Sequence, residues 1–202
     1  SYSMVPPGIT GYETSTFDYA EMSQIDREDA AKKLLTEAGY GPDKPLKMEI
    51  RYNTSENHKN TAVAIQEQLK PLGVEVTLLN TDTKTHYGHL EQKGDFDIAR
   101  AGWIADYKDP ETFLGISRKA SANNYAQYVS AEFEGLMDKA AAAGGNSGER
   151  MKLLSQAEAV LMRDHGQIPL LYYSYHNLVS AKIKGFEDNV MNVHPTRFIR
   201  KE

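Results

Sequence analysis

The chain has 202 residues, enough for one large domain or two small ones. Hydrophobic residues make up 40% and charged residues 25%, and the formal net charge is −5, with no basic stripe interleaved with aromatics and no apolar run near the roughly 20 residues that span a bilayer, so nucleic-acid binding and a membrane-spanning helix are not expected. The absence of cysteine excludes disulfides, zinc–thiolate sites and thiol nucleophiles, and is compatible with an oxidising compartment.

Residues 1–13 are turn-rich (Pro6, Pro7, Gly8, Gly11), and the start at Ser1 without an initiator Met reads as a processed or excised beginning. A helix is predicted over Arg27–Ala38, capped by Asp26, ended by Gly39, with Ala30, Ala31, Leu34 and Leu35 as its apolar face. Alternation of Leu46, Met48, Ile50 and Tyr52 predicts a strand. A helix over His58–Leu69 follows, with Ala62, Ile65 and Leu69 on one face, then a strand over Gly73–Asn80, a short helix over Thr83–Gln92 and a third strand over Asp95–Gly102. Further on, helices are predicted over Ala131–Ala142 and Glu149–Asp164, joined by a flexible "GGNSGE", and "QIPLLYYSY" and "HNLVSAKI" read as extended. The fold class is α/β: one lobe with helical additions and a β-rich tail.

Strand–helix–strand–helix–strand order with short connections implies a parallel sheet, and ligands of open α/β sheets collect outside the carboxyl ends of the strands. That edge gathers Asn53–His58, Asn80–Thr83 and Ala101–Asp106. The last of these lies in "RAGWIADYKDP", which holds the chain's one tryptophan.

No Gly-x-Ser-x-Gly elbow and no phosphate-binding glycine loop is present. Ser55, His58 and Asp106 could share the edge, but three common residue types make a weak case for a hydrolase. His86 and His89, with Glu91 nearby, could pair on a metal, yet no third ligand has motif spacing, and solvent-exposed histidines are the better expectation. No cofactor is implied.

His58, near a helix N-terminus, suits an anion or hydrogen-bonds its own loop. Arg100 suits a carboxylate or pairs with Asp95, Asp97 or Asp106. Asp106 suits an ammonium or caps a helix, for which Asp109 is better placed. Trp103 is an aromatic wall or a core residue. Together they complement a zwitterion with an apolar middle, as peptides are. An extended Ala101–Ala105, including Gly102 and Ile104, could also pair with a peptide as an added strand.

The runs "YNTSENHKNTAVAIQEQLKPLGVEV", "FDIARAGWIADYKDPETFLG", "NNYAQYVSAEFEGLMDKA" and "IPLLYYSYHNLV" resemble the extracytoplasmic oligopeptide-binding proteins of ABC importers, family 5 of the bacterial extracellular solute-binding proteins. The resemblance covers nearly the whole chain, and Gly-Trp-x-Ala-Asp-Tyr-x-(Asp/Glu)-Pro is its most specific part. It implies a type II periplasmic-binding-protein-like lobe: residues 1–175 from the second lobe, lacking its first strand and helix, and 176–202 crossing back to the first. It implies that Asp106 holds the peptide α-ammonium, Trp103 lines a pocket, Arg100 and His58 reach the C-terminal carboxylate, and Tyr173 contacts ligand near the hinge. It also implies a membrane permease as partner, a monomer and a periplasmic location, with no catalysis. Some relatives carry an arginine where this chain has Glu91, and a tryptophan where it has "TDTKTHY"; both changes bear on ligand length and C-terminal chemistry. Other solutes (a cell-wall peptide, a sugar, nickel) and a hydrolase using His58 are the alternative expectations.

Overall fold

Strand β1 (Leu46–Asn53) is the centre of a three-stranded parallel sheet in the order β2-β1-β3, with β2 at Val74–Thr81 and β3 at Ile98–Ala99. Its register runs from Leu46 opposite Val74 to Asn53 opposite Thr81 on one side, and sets Ile50 and Arg51 opposite Ile98 and Ala99 on the other. The period-2 pattern places Ile50 and Tyr52 on one face, where they form a core with Ala62 of α2 (Glu56–Leu69), backed by Ile65, Val76, Leu78 and Ile98. Arg51 and Asn53 fall on the opposite face, are also buried, and belong to the side on which α3 (Thr83–Glu91) packs against β1.

This computed structural model describes residues 1–144, 147–189 and 191–202. It divides into two compact units: a sheet unit, Asp18–Trp103, and a helical unit made of Ser1–Phe17 with Ile104–Glu202.

In the sheet unit, β3 is far shorter than the stretch Asp95–Gly102 expected from sequence. Side chains replace ladder partners on its amino-terminal flank. The Asp97 carboxylate accepts from Glu49 N–H (2.8 Å), and Asp95 O accepts from His89 Nε2 (2.8 Å) and, at 3.5 Å, from Arg51 Nη1. Helix α1 spans Gln24–Glu37, and its cap is Ser23, not Asp26: Asp26 N–H donates to Ser23 Oγ (3.2 Å), which returns a bond to the Asp26 carboxylate. Gly39, at φ +83°, ends it as expected, with Gly39 N–H bonded to Thr36 O and Tyr40 N–H to Leu35 O. The apolar face of α1 is only partly covered: none of its residues is fully buried, Ala30, Ala31 and Leu35 are half-buried, and Leu34 is 65% exposed.

In the helical unit, α5 (Ala131–Ala143) and α6 (Ser147–Arg163) pack on each other, burying Phe133, Met137 and Ala140 against Leu154, Ala157, Leu161 and Met162. Of the linker expected to be flexible, Gly145 and Asn146 lie outside the described residues, and Ser147–Glu149 are already helical. The turn-rich amino-terminal segment is tied to α6 by Glu158, whose side chain is fully buried. Its Oε1 accepts from Val5 N–H (2.7 Å), and its Oε2 from Tyr12 OH and Ser15 N–H (both 2.8 Å). Among the described residues the tail carries a ladder at β4 (Ile183–Lys184) and β5 (Arg200–Lys201), which are antiparallel. Residues 167–180 form no strand, although their sequence reads as extended, because no described strand lies alongside to complete a ladder.

Candidate functional site

The carboxyl ends of β1, β2 and β3 lie side by side at Asn53, Thr81 and Ala99, as the order of elements predicts. Asn53, the last residue of β1, connects two of the candidate residues. Its main-chain oxygen faces His58 Nδ1 at 3.1 Å, and its side-chain Oδ1 accepts from Arg100 Nη1 at 3.3 Å. Its amide donates to Thr83 Oγ1, in the first turn of α3 (3.3 Å). Since a carbonyl only accepts, Nδ1 of His58 carries the proton and Nε2 is left for other partners. His58 is third in α2, beside that helix's positive end, and is half-buried. Arg100 also donates to Tyr87 OH (3.0 Å).

Beyond Arg100 the chain leaves the sheet. Ala101 and Gly102 are exposed, and their backbone groups form no hydrogen bond among the described residues. Glycine at 102 leaves room for the arginine: a Cβ there would stand 2.9 Å from Arg100 Nη2. Trp103 is half-buried. The division into units falls after Trp103, so Ile104 and Asp106 belong to the helical unit.

The two histidines of α3 depart from expectation. His86 is 0% exposed and directs Nε2 to Arg100 O (2.8 Å); His89 is half-buried and directs its Nε2 to Asp95 O (2.8 Å). Neither is a free surface histidine, and the two rings face different carbonyls rather than one centre. The reason is helical phase: His86 and Leu90, four apart, share the face of α3 turned to the sheet, and both are buried. Burial, with the charges of Arg51, Arg100 and His58, lowers the His86 pKa and outweighs the bond to Arg100 O, which raises it.

In the helical unit, Ile104 is 74% exposed, and its backbone likewise has no partner among the described residues. Asp106 N–H donates to Oγ1 of buried Thr112 (3.2 Å), while no described residue hydrogen-bonds or ion-pairs with its exposed carboxylate. Helix-capping falls to Asp109, whose Oδ1 accepts from Glu111 N–H (2.9 Å) at the start of α4 (Glu111–Leu114). Asp109 also forms a bidentate pair with Arg150 of α6 at 2.6 and 2.8 Å. Tyr173 is 63% exposed in the unladdered tail.

Partial burial pushes the Asp109 carboxyl up, but the Arg150 and Glu111 bonds outweigh it and hold the pKa below the usual aspartate value. A depressed carboxyl pKa contributes stability above the unfolded value of about 3.9 that is lost as pH falls through the folded one. Asp109→Asn is therefore expected to cost the helical unit about 1–3 kcal/mol at neutral pH. In urea titrations from pH 7 downwards, the gap between wild type and variant should close in the acid range; a gap independent of pH would show that the pair's charge contributes nothing.

Comparison with known proteins shows the family. Residues 1–125 match the family described as bacterial extracellular solute-binding proteins, family 5 Middle. The chain belongs to this family. It is similar to the periplasmic oligopeptide-binding protein OppA of Salmonella typhimurium, 38% identical over 197 residues, which is 96% of this chain and 36% of that protein. It is also similar to the periplasmic murein peptide-binding protein MppA of Escherichia coli, 32% identical over 94% of this chain and 35% of that protein. Among solved structures, Haemophilus influenzae OppA in complex with the peptide RPPGFSPFR superimposes with a TM-score of 0.86 at 33% identity, over 100% of this chain and 40% of the other. The chain thus spans about a third of the length of the curated relatives it matches.

In this family-5 chain the sheet brings His58 and Arg100 together through Asn53, and leaves Ala101 and Gly102 without backbone partners among the described residues. Asp106 and Tyr173 lie in the helical unit, where no hydrogen bond links them directly. Sequence reasoning missed Asn53, Tyr87 and His86 as supports of Arg100. A signal existed for Asn53, a polar residue in phase with Arg51 on the face of β1 opposite Ile50 and Tyr52. His86 and Tyr87 follow only from the docking of α3.

Proposed function

We propose that this chain forms the greater part of the second lobe of a peptide-capturing solute-binding protein, which closes on an extended oligopeptide and delivers it to an ABC-type membrane permease. Residues 1–175 belong to that lobe, and 176–202 return to the first. One observation carries the reading. The exposed segment after β3 offers unpaired backbone at Ala101, Gly102 and Ile104, and three residues past Trp103 stands a carboxylate, Asp106, that no described residue engages. Backbone groups of this kind accept a peptide as an added strand whatever its side chains, and the carboxylate takes an α-ammonium. Arg100 and His58 take the peptide carboxylate, and Trp103 and Tyr173 line the ligand. The location is periplasmic, the working form a monomer, and the role is binding without catalysis. The names of the relatives and the peptide in the Haemophilus influenzae complex support peptide capture and a periplasmic location.

A cell-wall peptide is the second reading, favoured by the murein peptide-binding relative and by Glu91, which is exposed on α3 with no described ion-pair partner and could meet an additional amine. Hydrolysis has less support: His58 Nδ1 is turned to a main-chain carbonyl rather than a carboxylate, and Ser55 Oγ makes no hydrogen bond to His58.

Native mass spectrometry of the two-lobed protein that contains this chain, purified without denaturation, tests the reading. A ladder of bound masses matching short peptides, or capture of added tri- to pentapeptides, is expected. A single non-peptide mass would reassign the ligand, and a spectrum unchanged by a peptide mixture would overturn peptide capture. Cleavage of the added peptides would restore the hydrolase.

A further inference from the structure

We propose that His86 is the positioning residue of the ligand-binding segment: with Tyr87 it grips Arg100 by main chain and side chain, so that α3 fixes where Arg100–Trp103 departs from the sheet. The functional weight of this inference rests on the peptide-binding reading; its structural content does not.

Arg100 is anchored to the sheet and to α3. Its N–H donates to Arg51 O at 2.8 Å, and its C=O accepts from His86 Nε2 at 2.8 Å. On the same helix, the next residue, Tyr87, accepts from the Arg100 guanidinium at 3.0 Å, and the two rings of α3 meet edge to face, centroids 5.2 Å apart at 89°. One turn of helix therefore holds both ends of Arg100, just before Ala101 and Gly102, which have no backbone partners among the described residues.

The chemistry of the site selects a neutral donor. The carbonyl requires a hydrogen on Nε2, which leaves Nδ1 as the second nitrogen, buried and without a hydrogen-bond partner. A second proton there would add a charge in a closed space already under the influence of Arg51, Arg100 and His58. Arg51 itself is buried and forms no ion pair with a described residue. A lysine at 86 would suffer the same repulsion, and an aliphatic residue would fill the volume but leave the Arg100 carbonyl without this donor. Histidine in its neutral Nε2–H form meets all three demands: reach, donation and no charge.

The test uses His86→Leu, which keeps bulk but not the donor; His86→Gln, which restores a neutral donor; and Tyr87→Phe, which releases only the guanidinium. The first readouts need no ligand. Imidazole 15N shifts are expected to report a neutral Nε2–H ring; an Nδ1–H ring would overturn the assignment. In His86→Leu, exchange of the Arg100 amide should accelerate about tenfold, the change corresponding to one lost hydrogen bond. Amide order parameters at Ala101–Trp103 should fall while Ile50 and Tyr52 stay protected, and His86→Gln should recover most of the difference. Unchanged exchange at Arg100 in His86→Leu would overturn the proposal. So would loosening spread equally over β1 and β2 without recovery by Gln, which is the signature of a core-packing role alone. Calorimetry of the two-lobed protein that contains this chain, with tri- to pentapeptides, then reads function: both His86→Leu and Tyr87→Phe are expected to weaken binding, with His86→Gln close to wild type. If wild type binds no peptide, the proposed function fails, while exchange at Arg100 still decides the role of His86.

Discussion

Asp106→Ala is expected to weaken binding of peptides with a free amino terminus by about 2–5 kcal/mol, the cost of stranding one charge of a buried pair. The size depends on what holds the residue and what surrounds it in the bound state. An exposed carboxylate in water gains little from an ammonium. A carboxylate on a fixed backbone, enclosed with its partner, gains far more, because removing it leaves the ammonium desolvated and unpaired. The backbone of Asp106 is fixed in this way: its N–H is bonded to buried Thr112, and three residues on, Asp109 is clamped by Arg150. Its carboxylate is uncommitted among the described residues. Calorimetry should therefore show a large loss for Asp106→Ala and a smaller one for Asp106→Asn. N-acetylated peptides, which lack the ammonium, should bind wild type and variant alike. Equal affinity of wild type and Asp106→Ala for free-amine peptides would remove Asp106 from the site.

The second large effect concerns stability. Glu158→Ala is expected to destabilise the helical unit by about 3–5 kcal/mol, since it strands three donors, two of them main-chain N–H groups, at a site with no access to water. Glu158 is fully buried and has no cation partner among the described residues; Val5, Tyr12 and Ser15 supply its solvation. Glu158→Gln should fall between, because one amide oxygen can serve only one side of the cluster and the NH2 then faces a donor. Burial raises the Glu158 pKa, with hydrogen bonds from the amino-terminal segment opposing it, and burial and the Glu158 charge together push the Tyr12 hydroxyl well above its usual value. A carboxyl whose folded pKa is raised contributes its full stability below the unfolded value and loses it as pH rises through the folded one. Wild type should accordingly lose part of its margin as pH rises out of the ordinary glutamate range, and Glu158→Gln should not. A denaturation midpoint for Glu158→Ala within error of wild type would show that the amino-terminal segment is held by something else.

The order of elements, the parallel sheet and the edge that carries the candidate residues were legible in the sequence, because each rests on short-range information. Alternation at Leu46, Met48, Ile50 and Tyr52 marks a strand, Gly39 marks a helix end, and βαβ order dictates parallel pairing whatever the side chains do. Arg100, Trp103 and Asp106 stood out for the same reason, as a contiguous run just past a strand end. Tertiary structure decided what depends on partners distant in the chain. Two residues of β3 pair where eight were expected, because Asp97 and Asp95 are engaged by groups 44 or more residues away or by the turn of α3. The apolar face of α1 is only half-buried, since amphipathic spacing says which face could be buried but not what lies against it. His86 is a buried support and not a surface histidine, because the docking of α3 turns it to the Arg100 carbonyl. Glu158 reads as one more charge on an amphipathic helix until residues 143 and 153 positions away close around it. Periodicity reports the direction a side chain takes from its own element; only the packed chain determines which hydrogen-bonding group it meets.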